Sequence, residues 1–436
     1  MTLLILADDL SGAADCAIAF ASAGLRTVVT LDPAHETGDA QVVALDTDTR
    51  RLSPGDAAER TVIAYQTLLQ PGQRLYKKID STLRGNWASE VAGLHAVAGL
   101  AIVAPAFPAT GRTTLHGRVL VNGLPLESTD TWKLENADQC ADLDVMLETA
   151  GLRTAKLPLT TLRGDASALA EHIAEIAKSK TQALIVDAET REDLRTLAQV
   201  TLQISEPLFW VGSGGLAREI AALPNAVENV VQDIAVKRES FSHQKSGPIL
   251  VLVGSLSGVS ERQCTMLKER AGIHELTVAP AVLRDGAKHA EWTSWEARIG
   301  EHLQRGEDLL LRIGRDAGFD PSEGAVLSTA LAALVRPSFD NVGGLVATGG
   351  ETARAMLSAV GIGSLKLQRE IEAGVAFGRP VATREGHRPG VITKAGAFGT
   401  DHALYASWLH LSDVAEPAVF TAGSTPPFPA QQGKKS

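Results

Sequence analysis

The chain has 436 residues, enough for two domains of ordinary size, and its 44% hydrophobic and 21% charged residues are typical of a globular protein. Its formal net charge of −10 argues against a nucleic-acid-binding protein, because binding to a phosphate backbone requires a basic surface. No apolar run approaches the roughly 18 residues of a membrane span, and no basic stretch precedes the first apolar residues as in a signal peptide, so we expect a cytoplasmic protein.

A short apolar strand is predicted over residues 2–7, and an alanine-rich helix follows it after a polar loop. Asp8 and Asp9 lie in this loop, at the end of the strand where open α/β sheets bind ligands. Adjacent carboxylates can bind sugar hydroxyls, hold a magnesium ion or act as a general base. A structural role is equally open, because Asp9 or Ser11 can cap the helix.

The densest group of polar side chains lies in residues 77–86, which read Lys-Lys-Ile-Asp-Ser-Thr-Leu-Arg-Gly-Asn. A strand-like lead-in and a closing Gly-Asn turn place this group at the carboxyl end of another strand. The lysines and Arg84 suit an anionic substrate, and Asp80 can orient or deprotonate a hydroxyl. The alternative interpretation is a solvated turn held together by ion pairs.

A third polar loop follows the predicted strand at residues 101–104. Pro105 and Pro108 restrict its backbone, and Arg112 with the two threonines after it offers a site for an anion. This loop therefore adds a third candidate contact for a negatively charged ligand in the first half of the chain.

The second half predicts three units of strand, glycine-containing turn and helix, with turns near residues 254–258, 348–352 and 393–399. Small residues at such a turn allow backbone amides to approach a phosphate at the start of a helix. One glycine turn alone is weak evidence, since glycines close helix–strand corners in many folds; the turn at 212–217 has both interpretations open. Three such turns together favour a phosphate-binding domain.

Several standard sites are excluded by missing motifs. The chain has no Gly-x-x-x-x-Gly-Lys-Ser/Thr, no Gly-x-Gly-x-x-Gly after the first strand and no His-Glu-x-x-His. Cys16, Cys140 and Cys264 are too far apart to predict a disulfide framework or a clustered zinc site, and the 11 histidines show no ligand spacing. The sequence therefore identifies no metal ligand.

In combination, the motifs resemble those of the four-carbon acid sugar kinases, formerly a domain of unknown function. Residues 8–13, 77–86 and 105–114 are similar to the amino-terminal signatures of that family, and the three glycine turns follow its nucleotide-binding domain in the same order. The resemblance extends from residue 3 to about residue 404. It implies an ATP-dependent kinase that phosphorylates a four-carbon sugar acid, with Mg²⁺ accompanying the ATP.

The resemblance also implies site residues. For the sugar acid, the matching positions are Asp9, Arg51, Lys78, Ile79, Asp80 and Ser81. Arg84 and Arg112 are added as candidates because their positive charge suits an anionic substrate. For ATP, the matching positions are Ser255, Thr348, Gly349, Gly350, Glu351 and Gly396. We predict Asp80 as the first candidate for the general base and Asp9 as the second, because either carboxylate can accept the proton of the terminal hydroxyl.

We expect an α/β fold of two domains, each a largely parallel sheet flanked by helices. A polar, weakly periodic linker at 234–247 would separate a sugar-acid-binding domain at 1–233 from a nucleotide-binding domain at 248–411. Residues 412–436, with four prolines and little apolar material, are predicted to form a mobile tail. The expected partners are small molecules only, and a homo-oligomer is compatible with the sequence.

The family includes kinases for threonate, erythronate and 3-oxo-tetronate, which differ at one stereocentre or one carbonyl. The turn at 211–217 departs from a Gly-Gly-Ser-Gly-Leu pattern associated with the 3-oxo-tetronate enzymes, which favours D-threonate, followed by D-erythronate. A non-catalytic sensor of sugar acids or nucleotides would keep the anion motifs without needing three glycine turns. An oxidoreductase lacks the dinucleotide-binding fingerprint.

Overall fold

The computed structural model describes residues 2–129, 132–133, 140–224, 247–316, 318, 320, 323–382, 387–396 and 398–412. Apart from Gly247 and Ser412, the predicted linker at 234–247 and the predicted tail at 412–436 lie outside these described residues. Within them, no helix is long and apolar enough to span a membrane.

The amino-terminal half is built on parallel strands in the order β2-β3-β1-β4-β11-β5-β10-β9. The strands of this sheet are β1 (Leu3–Ala7), β2 (Thr27–Thr30), β3 (Val42–Asp46), β4 (Arg74–Lys78), β5 (Leu100–Ala104), β9 (Thr154–Leu157), β10 (Ala183–Val186) and β11 (Leu208–Gly212). Nearly all of their residues are buried, as expected for a parallel sheet that is covered on both faces.

Helices cover both faces of this sheet. They are α1 (Leu10–Ser22), α2 (Pro54–Leu68), α3 (Trp87–Ala98), α4 (Leu143–Thr149), α5 (Leu159–Leu162), α6 (Ala166–Lys178), α7 (Arg191–Leu202) and α8 (Gly214–Ala221). A separate antiparallel sheet consists of β6 (Arg112–Leu115), β7 (Arg118–Val121) and β8 (Leu124–Pro125). Arg112 therefore belongs to a small second sheet, and not to the loop in which the sequence suggested it.

The carboxyl-terminal half repeats the architecture, with parallel strands in the order β13-β14-β12-β15-β18 followed by the antiparallel strands β17 and β16. The strands are β12 (Ile249–Val253), β13 (His274–Val278), β14 (Leu309–Ile313), β15 (Gly344–Thr348), β16 (Ser364–Glu372), β17 (Val375–Pro380) and β18 (Gly390–Lys394). The helices are α9 (Gly258–Ala271), α10 (Pro280–Asp285), α11 (Trp292–Gln304), α12 (Gly324–Val335), α13 (Gly350–Ala359) and α14 (Ala403–Leu411).

The predicted α/β class with largely parallel sheets is confirmed, and one feature adds to it. Strand β16 pairs with β2 in antiparallel register, so that the two sheets form one continuous sheet of 15 strands. The pairing joins Ser364 to Thr30 and Lys366 to Val28. The edge strand β2 of the first half thus pairs with the edge strand β16 of the second. The carboxyl ends of strands from both halves face a common cleft.

Candidate active site

A cleft of about 1550 Å³ lies between the two halves, at the carboxyl ends of strands from both sheets. Residues that follow β1, β3 and β4 line one side, and residues that follow β12, β15 and β18 line the other. The side chains with chemical function on its walls are Asp8, Asp9, Asp46, Asp48, Arg50, Arg51, Arg84, Ser255, Glu351 and Arg354.

Asp9 lies at the contact between the two halves. Its Oδ1 accepts a hydrogen bond from the backbone N–H of Gly12 at 2.7 Å, so Asp9 caps α1, as the sequence left open. A β-carbon added to Gly350 of the other half would lie only 2.9 Å from its Oδ2. Arg50 holds both acids, with Nη1 at 2.7 Å from Asp9 and Nε at 2.8 Å from Asp8. The helix cap therefore also presents a carboxylate to the turn at Gly349 and Gly350, two of the residues predicted to bind ATP.

The two adjacent lysines have different surroundings because successive side chains of a strand point to opposite faces. Lys77 is inaccessible to solvent and its Nζ lies 2.8 Å from Oε2 of Glu90, which is also inaccessible. Lys78 is nearly buried on the other face, beside Asp9, and a β-carbon at Gly12 would lie 3.2 Å from its Nζ. Only Lys78 thus reaches the candidate site, in agreement with the prediction that selected it.

Asp80 is bound to Arg84 through the guanidinium Nε, and its Oδ1 accepts a hydrogen bond from Thr82 N at 3.1 Å. Burial by itself would raise the pKa of Asp80, but the positive charges of Arg84, Arg50 and Lys78 hold it well below its ordinary value. A carboxylate with such a low pKa is a weak base. This environment fits an orienting role better than the proton-accepting role that the sequence suggested first.

The remaining substrate candidates differ in their exposure to the site. The side chain of Ile79 is buried in the core, and its N–H donates to Gly212 O at 2.9 Å, so this side chain cannot contact a ligand. Arg112 donates to Thr110 O at 2.6 Å and lies over the Phe398 ring at 5.8 Å. Burial lowers the pKa of this guanidinium.

Two residues that were predicted to bind different ligands bind each other. Arg51, assigned to the sugar acid, forms an ion pair with Glu351, assigned to ATP, across the cleft. A second pair crosses nearby, where Arg354 Nη1 lies 2.7 Å from Asp46 Oδ2. Burial raises the pKa of Asp46 to about 7, although Arg354 acts in the opposite direction. Neither pair was predicted, because each joins residues about 300 positions apart.

A smaller inner pocket adjoins the cleft and shares Asp9, Arg50 and Arg84 with it. The amino-terminal half supplies most of its wall, namely Asp9, Ser11, Gly12, Asp15, Arg50, Lys78, Asp80, Ser81, Arg84, Phe107, Ser213 and Gly214. Gly374, Ala395 and Phe398 of the other half close it. Five predicted substrate residues, Asp9, Lys78, Asp80, Ser81 and Arg84, thus come together in this inner pocket.

The predicted ATP residues also come together, with one exception. Gly349 has a φ of +91°, which favours glycine, and α13 begins at the next residue without a side-chain cap. A β-carbon at Gly396 would lie 2.5 Å from Ser255 Oγ, so these two turns touch. Thr348 is buried at the end of β15 and does not line the cleft. The free amides at the start of α13 are therefore the exposed donors of this side.

Lys394 organises the turn that contains Gly396, a role that sequence reasoning missed. Its buried Nζ donates to the carbonyl oxygens of Ala395, Gly396 and Phe398 at 2.9, 3.2 and 3.0 Å. Burial lowers its pKa to about 8. The sequence feature that could have indicated this role is a lysine at the end of a buried apolar strand, where a charged side chain needs several hydrogen-bond partners.

The cleft continues along a groove lined by small side chains of α12 and α13, which the sequence motifs did not indicate. It is lined by Gly324, Ala325, Ser328, Thr329, Ala355, Ser358 and Ala359. The two helices are in contact, with Ser328 Oγ 3.0 Å from Thr352 Oγ1, and their small residues widen the cleft beside that contact. No glycine turn marks this groove, which explains why motif reasoning did not find it.

The geometry agrees with two family models. A sugar-binding N-terminal domain matches residues 3–220 and a nucleotide-binding C-terminal domain matches residues 250–404. A D-threonate kinase of Cupriavidus necator is 51% identical over 96% of this chain and 100% of its own length. The chain belongs to the four-carbon acid sugar kinase family.

Further members of this kinase family are similar over most of the chain. A D-threonate kinase of Bordetella bronchiseptica is 31% identical over 92% of this chain and 95% of its own length. The crystal structure of a Haemophilus influenzae protein has a TM-score of 0.67 at 21% identity and covers 93% of this chain and 99% of its own, which supports the fold alone. The family inferred from the sequence motifs is thereby confirmed.

Residues that fit a metal ion lie elsewhere in this kinase. Among the described residues, one group of His, Cys, Asp or Glu has its ligand atoms within 4.8 Å of one another, and it consists of His274, His302 and Glu307. The spacing of these residues in sequence had not indicated a group. None of them lines the cleft, so the described carboxylates of the cleft form no closed magnesium cage, as is usual where Mg²⁺ is bound mainly by substrate phosphates.

Proposed function

We propose that the protein transfers a phosphoryl group from ATP to the terminal 4-hydroxyl of D-threonate. The observation that carries this proposal is that Asp9 lines both the cleft and the inner pocket and lies against Gly350 at the start of α13. Phosphoryl transfer requires such an arrangement, because the acceptor hydroxyl must lie in line with the γ-phosphate. The 51% identity to a D-threonate kinase supports this sugar acid.

ATP would bind along the carboxyl-terminal wall of the cleft. The first turn of α13 offers free N–H groups and the positive end of a helix dipole, both of which favour phosphate. The groove of small side chains along α12 and α13 continues from this point and suits the adenosine. ATP supplies the phosphoryl group and brings its magnesium ion, while Gly349, Gly350, Ser255 and Gly396 shape the phosphate site.

We propose that the sugar acid occupies the inner pocket, with its terminal hydroxyl towards Asp9. A tetronate is an anion, and a protein with a net charge of −10 needs local cations to attract it. Lys78 and Arg84 supply these cations, and Ser81 adds a hydroxyl. Asp80 would then hold Arg84 in place.

Asp9 is the better placed of the two candidate bases. It alone of the two acids touches the turn at Gly349 and Gly350, and it lines both the cleft and the inner pocket. Asp80 lines the inner pocket, and its low pKa makes it a weaker proton acceptor. We therefore propose Asp9 as the group that receives the proton of the 4-hydroxyl and Asp80 as a positioning residue.

The cross-cleft contacts support a closed arrangement that excludes water from the transferred phosphoryl group. Arg51 with Glu351, Arg354 with Asp46 and the pairing of β2 with β16 all join the two halves. Closure of this kind limits hydrolysis of ATP in the absence of the acceptor. Arg51 and Glu351 would thus act by closing the site.

An assay of ADP release with D-threonate, D-erythronate and 3-oxo-tetronate tests the proposal. The highest kcat/KM is expected for D-threonate, with little ADP formed when the acid is omitted. A higher value for either of the other acids would replace D-threonate as the substrate. Binding of tetronates or ATP in calorimetry without turnover of any of the three would instead support a sensor.

Lys78→Met is expected to raise KM for the sugar acid roughly ten- to a hundredfold, since a charge-assisted hydrogen bond contributes about 1.5 to 3 kcal/mol. KM for ATP should change little. Lys178→Met, at an exposed ion pair with Glu206, is the matched control and should leave both constants unchanged. If the ATP constant rises and the acid constant does not, Lys78 faces the γ-phosphate instead.

Gly396→Ala is expected to weaken ATP binding, because the added β-carbon would collide with Ser255 at 2.5 Å. The conflict would displace Ser255 or the turn itself, both of which belong to the proposed phosphate site, so KM for ATP should rise while KM for the acid stays close to the wild-type value. Gly258→Ala is the control, since the nearest atom to its β-carbon lies at 3.9 Å. An unchanged ATP constant in Gly396→Ala would place the phosphates away from this turn.

A further inference from the structure

Asp15 is a buried acid of α1 that the proposed mechanism does not use. Its Oδ1 is buried and has no hydrogen-bond partner among the residues that the structure describes. The nearest cation is Arg218, whose Nη2 lies 3.6 Å from this oxygen, beyond hydrogen-bonding distance. Burial raises the pKa of Asp15, although the charges of Lys78 and Arg218 act in the opposite direction.

Two other buried acids of the same half, Asp187 and Asp193, accept hydrogen bonds at both of their carboxylate oxygens, in contrast to Asp15. The two oxygens of Asp187 accept hydrogen bonds from His116 N and Gly117 N, each at 2.9 Å. Asp193 accepts from Arg163 at 2.8 Å and from Thr190 N at 2.9 Å. A buried carboxylate without such partners destabilises the folded protein. Because Oδ1 of Asp15 can still accept a hydrogen bond, we expect a bound ligand to supply the donor.

Arg218 does not require Asp15 as its counter-ion. Its Nη1 and Nη2 lie 2.8 and 2.5 Å from the two oxygens of Glu370, on β16 of the other half. This bidentate pair already neutralises the guanidinium. Asp15 thus lies near Arg218 without a hydrogen bond to it at 3.6 Å. It lines the inner pocket together with Lys78 and Gly214.

The position of Asp15 selects the part of the ligand that it can meet. Asp9 caps α1 and Asp15 follows it by six residues, about 9 Å along the helix axis, so the two carboxylates line separate parts of the inner pocket. A carboxylate repels the substrate's own carboxylate, which Lys78 and Arg84 attract towards Ser81. A secondary hydroxyl can donate a hydrogen bond to Oδ1 of Asp15, while Gly214 packs closely against the other oxygen, since a β-carbon there would lie 2.7 Å from Oδ2.

We propose that Asp15 accepts a hydrogen bond from a secondary hydroxyl, at C2 or C3, of the sugar acid and so forms a hydroxyl-reading subsite of the inner pocket. This inference rests on the proposed function, because it assigns part of the same substrate. It adds a residue that recognises the acceptor and takes no part in proton transfer.

The experiment compares D-threonate with 3,4-dihydroxybutanoate and 2,4-dihydroxybutanoate, which lack the 2- and the 3-hydroxyl but keep the 4-hydroxyl. In the wild-type protein, loss of the hydroxyl that Asp15 binds should lower kcat/KM roughly ten- to a hundredfold. In Asp15→Ala, the penalty for that same analogue should shrink to about threefold or less, and the change should appear chiefly in KM for the acid. Asp15→Asn, which keeps an acceptor oxygen and the side-chain volume, should retain part of the discrimination and serves if the alanine variant does not fold.

Asp187→Asn is the matched control, because it alters a buried carboxylate of the same half outside the pocket, and its penalties should equal those of the wild-type protein. Equal penalties in wild type and both Asp15 variants, for both analogues, would overturn the inference. A wild-type protein that phosphorylates none of these acids would instead reject the proposed function, and the two failures are thereby distinguished.

Discussion

Asp9→Asn is expected to lower kcat by a factor of about 10² to 10⁴, the usual contribution of a general base. Asparagine keeps the side-chain oxygen that caps α1, so the helix should stay intact. The affinity for ADP, measured by calorimetry, should stay close to that of the wild-type protein, because the groups proposed to bind phosphate belong to the other half. Steady-state kinetics at saturating ATP and acid measures the effect.

Asp80→Asn separates the two candidates for the base. Its substitution removes one ionic partner of Arg84 and should raise KM for the acid more than it lowers kcat. Near wild-type turnover in Asp9→Asn together with a loss of 10² or more in Asp80→Asn would assign the proton to Asp80, as the sequence suggested.

Lys77→Met is expected to destabilise the protein by about 3 to 5 kcal/mol, because it leaves Glu90 charged and unpaired in the interior. Glu90 also accepts from the hydroxyl of Thr61 at 3.2 Å, which does not neutralise its charge. A lower midpoint of urea unfolding, followed by circular dichroism, measures the loss. The double substitution Lys77→Met with Glu90→Gln should recover much of it, since no buried charge remains.

Lys178→Met again serves as the control, because an exposed ion pair contributes little to stability. A Lys77→Met protein as stable as the wild type would show that the interior around Glu90 admits water. It would then also question the division of roles between the two adjacent lysines.

The sequence was sufficient to predict the parts of the site that depend on local pattern. Strand ends carry Asp9, Lys78 and Ser255, and a glycine with positive φ begins the turn before α13, all as their flanking residues indicated. The alternation of strand side chains could also have separated Lys77 from Lys78, since both lie within β4.

Contacts between segments that are far apart in the sequence could not be predicted. Arg51 and Glu351 each resembled a ligand contact, yet they are 300 residues apart and bind one another. The groove along α12 and α13 is lined by small residues, and these residues form no recognisable sequence motif. The partner of a charged side chain is set by the packed fold, which local sequence does not encode.

The pairing of β2 with β16 has a consequence for any attempt to study the halves apart. Strand β16 has β17 on its other side, and removal of the first half leaves the backbone groups of its residues 364–366 without their β2 partners. The same holds for β2 once the second half is removed. Open strand edges of this kind associate with other chains, so each half expressed alone would tend to aggregate or form dimers through that edge.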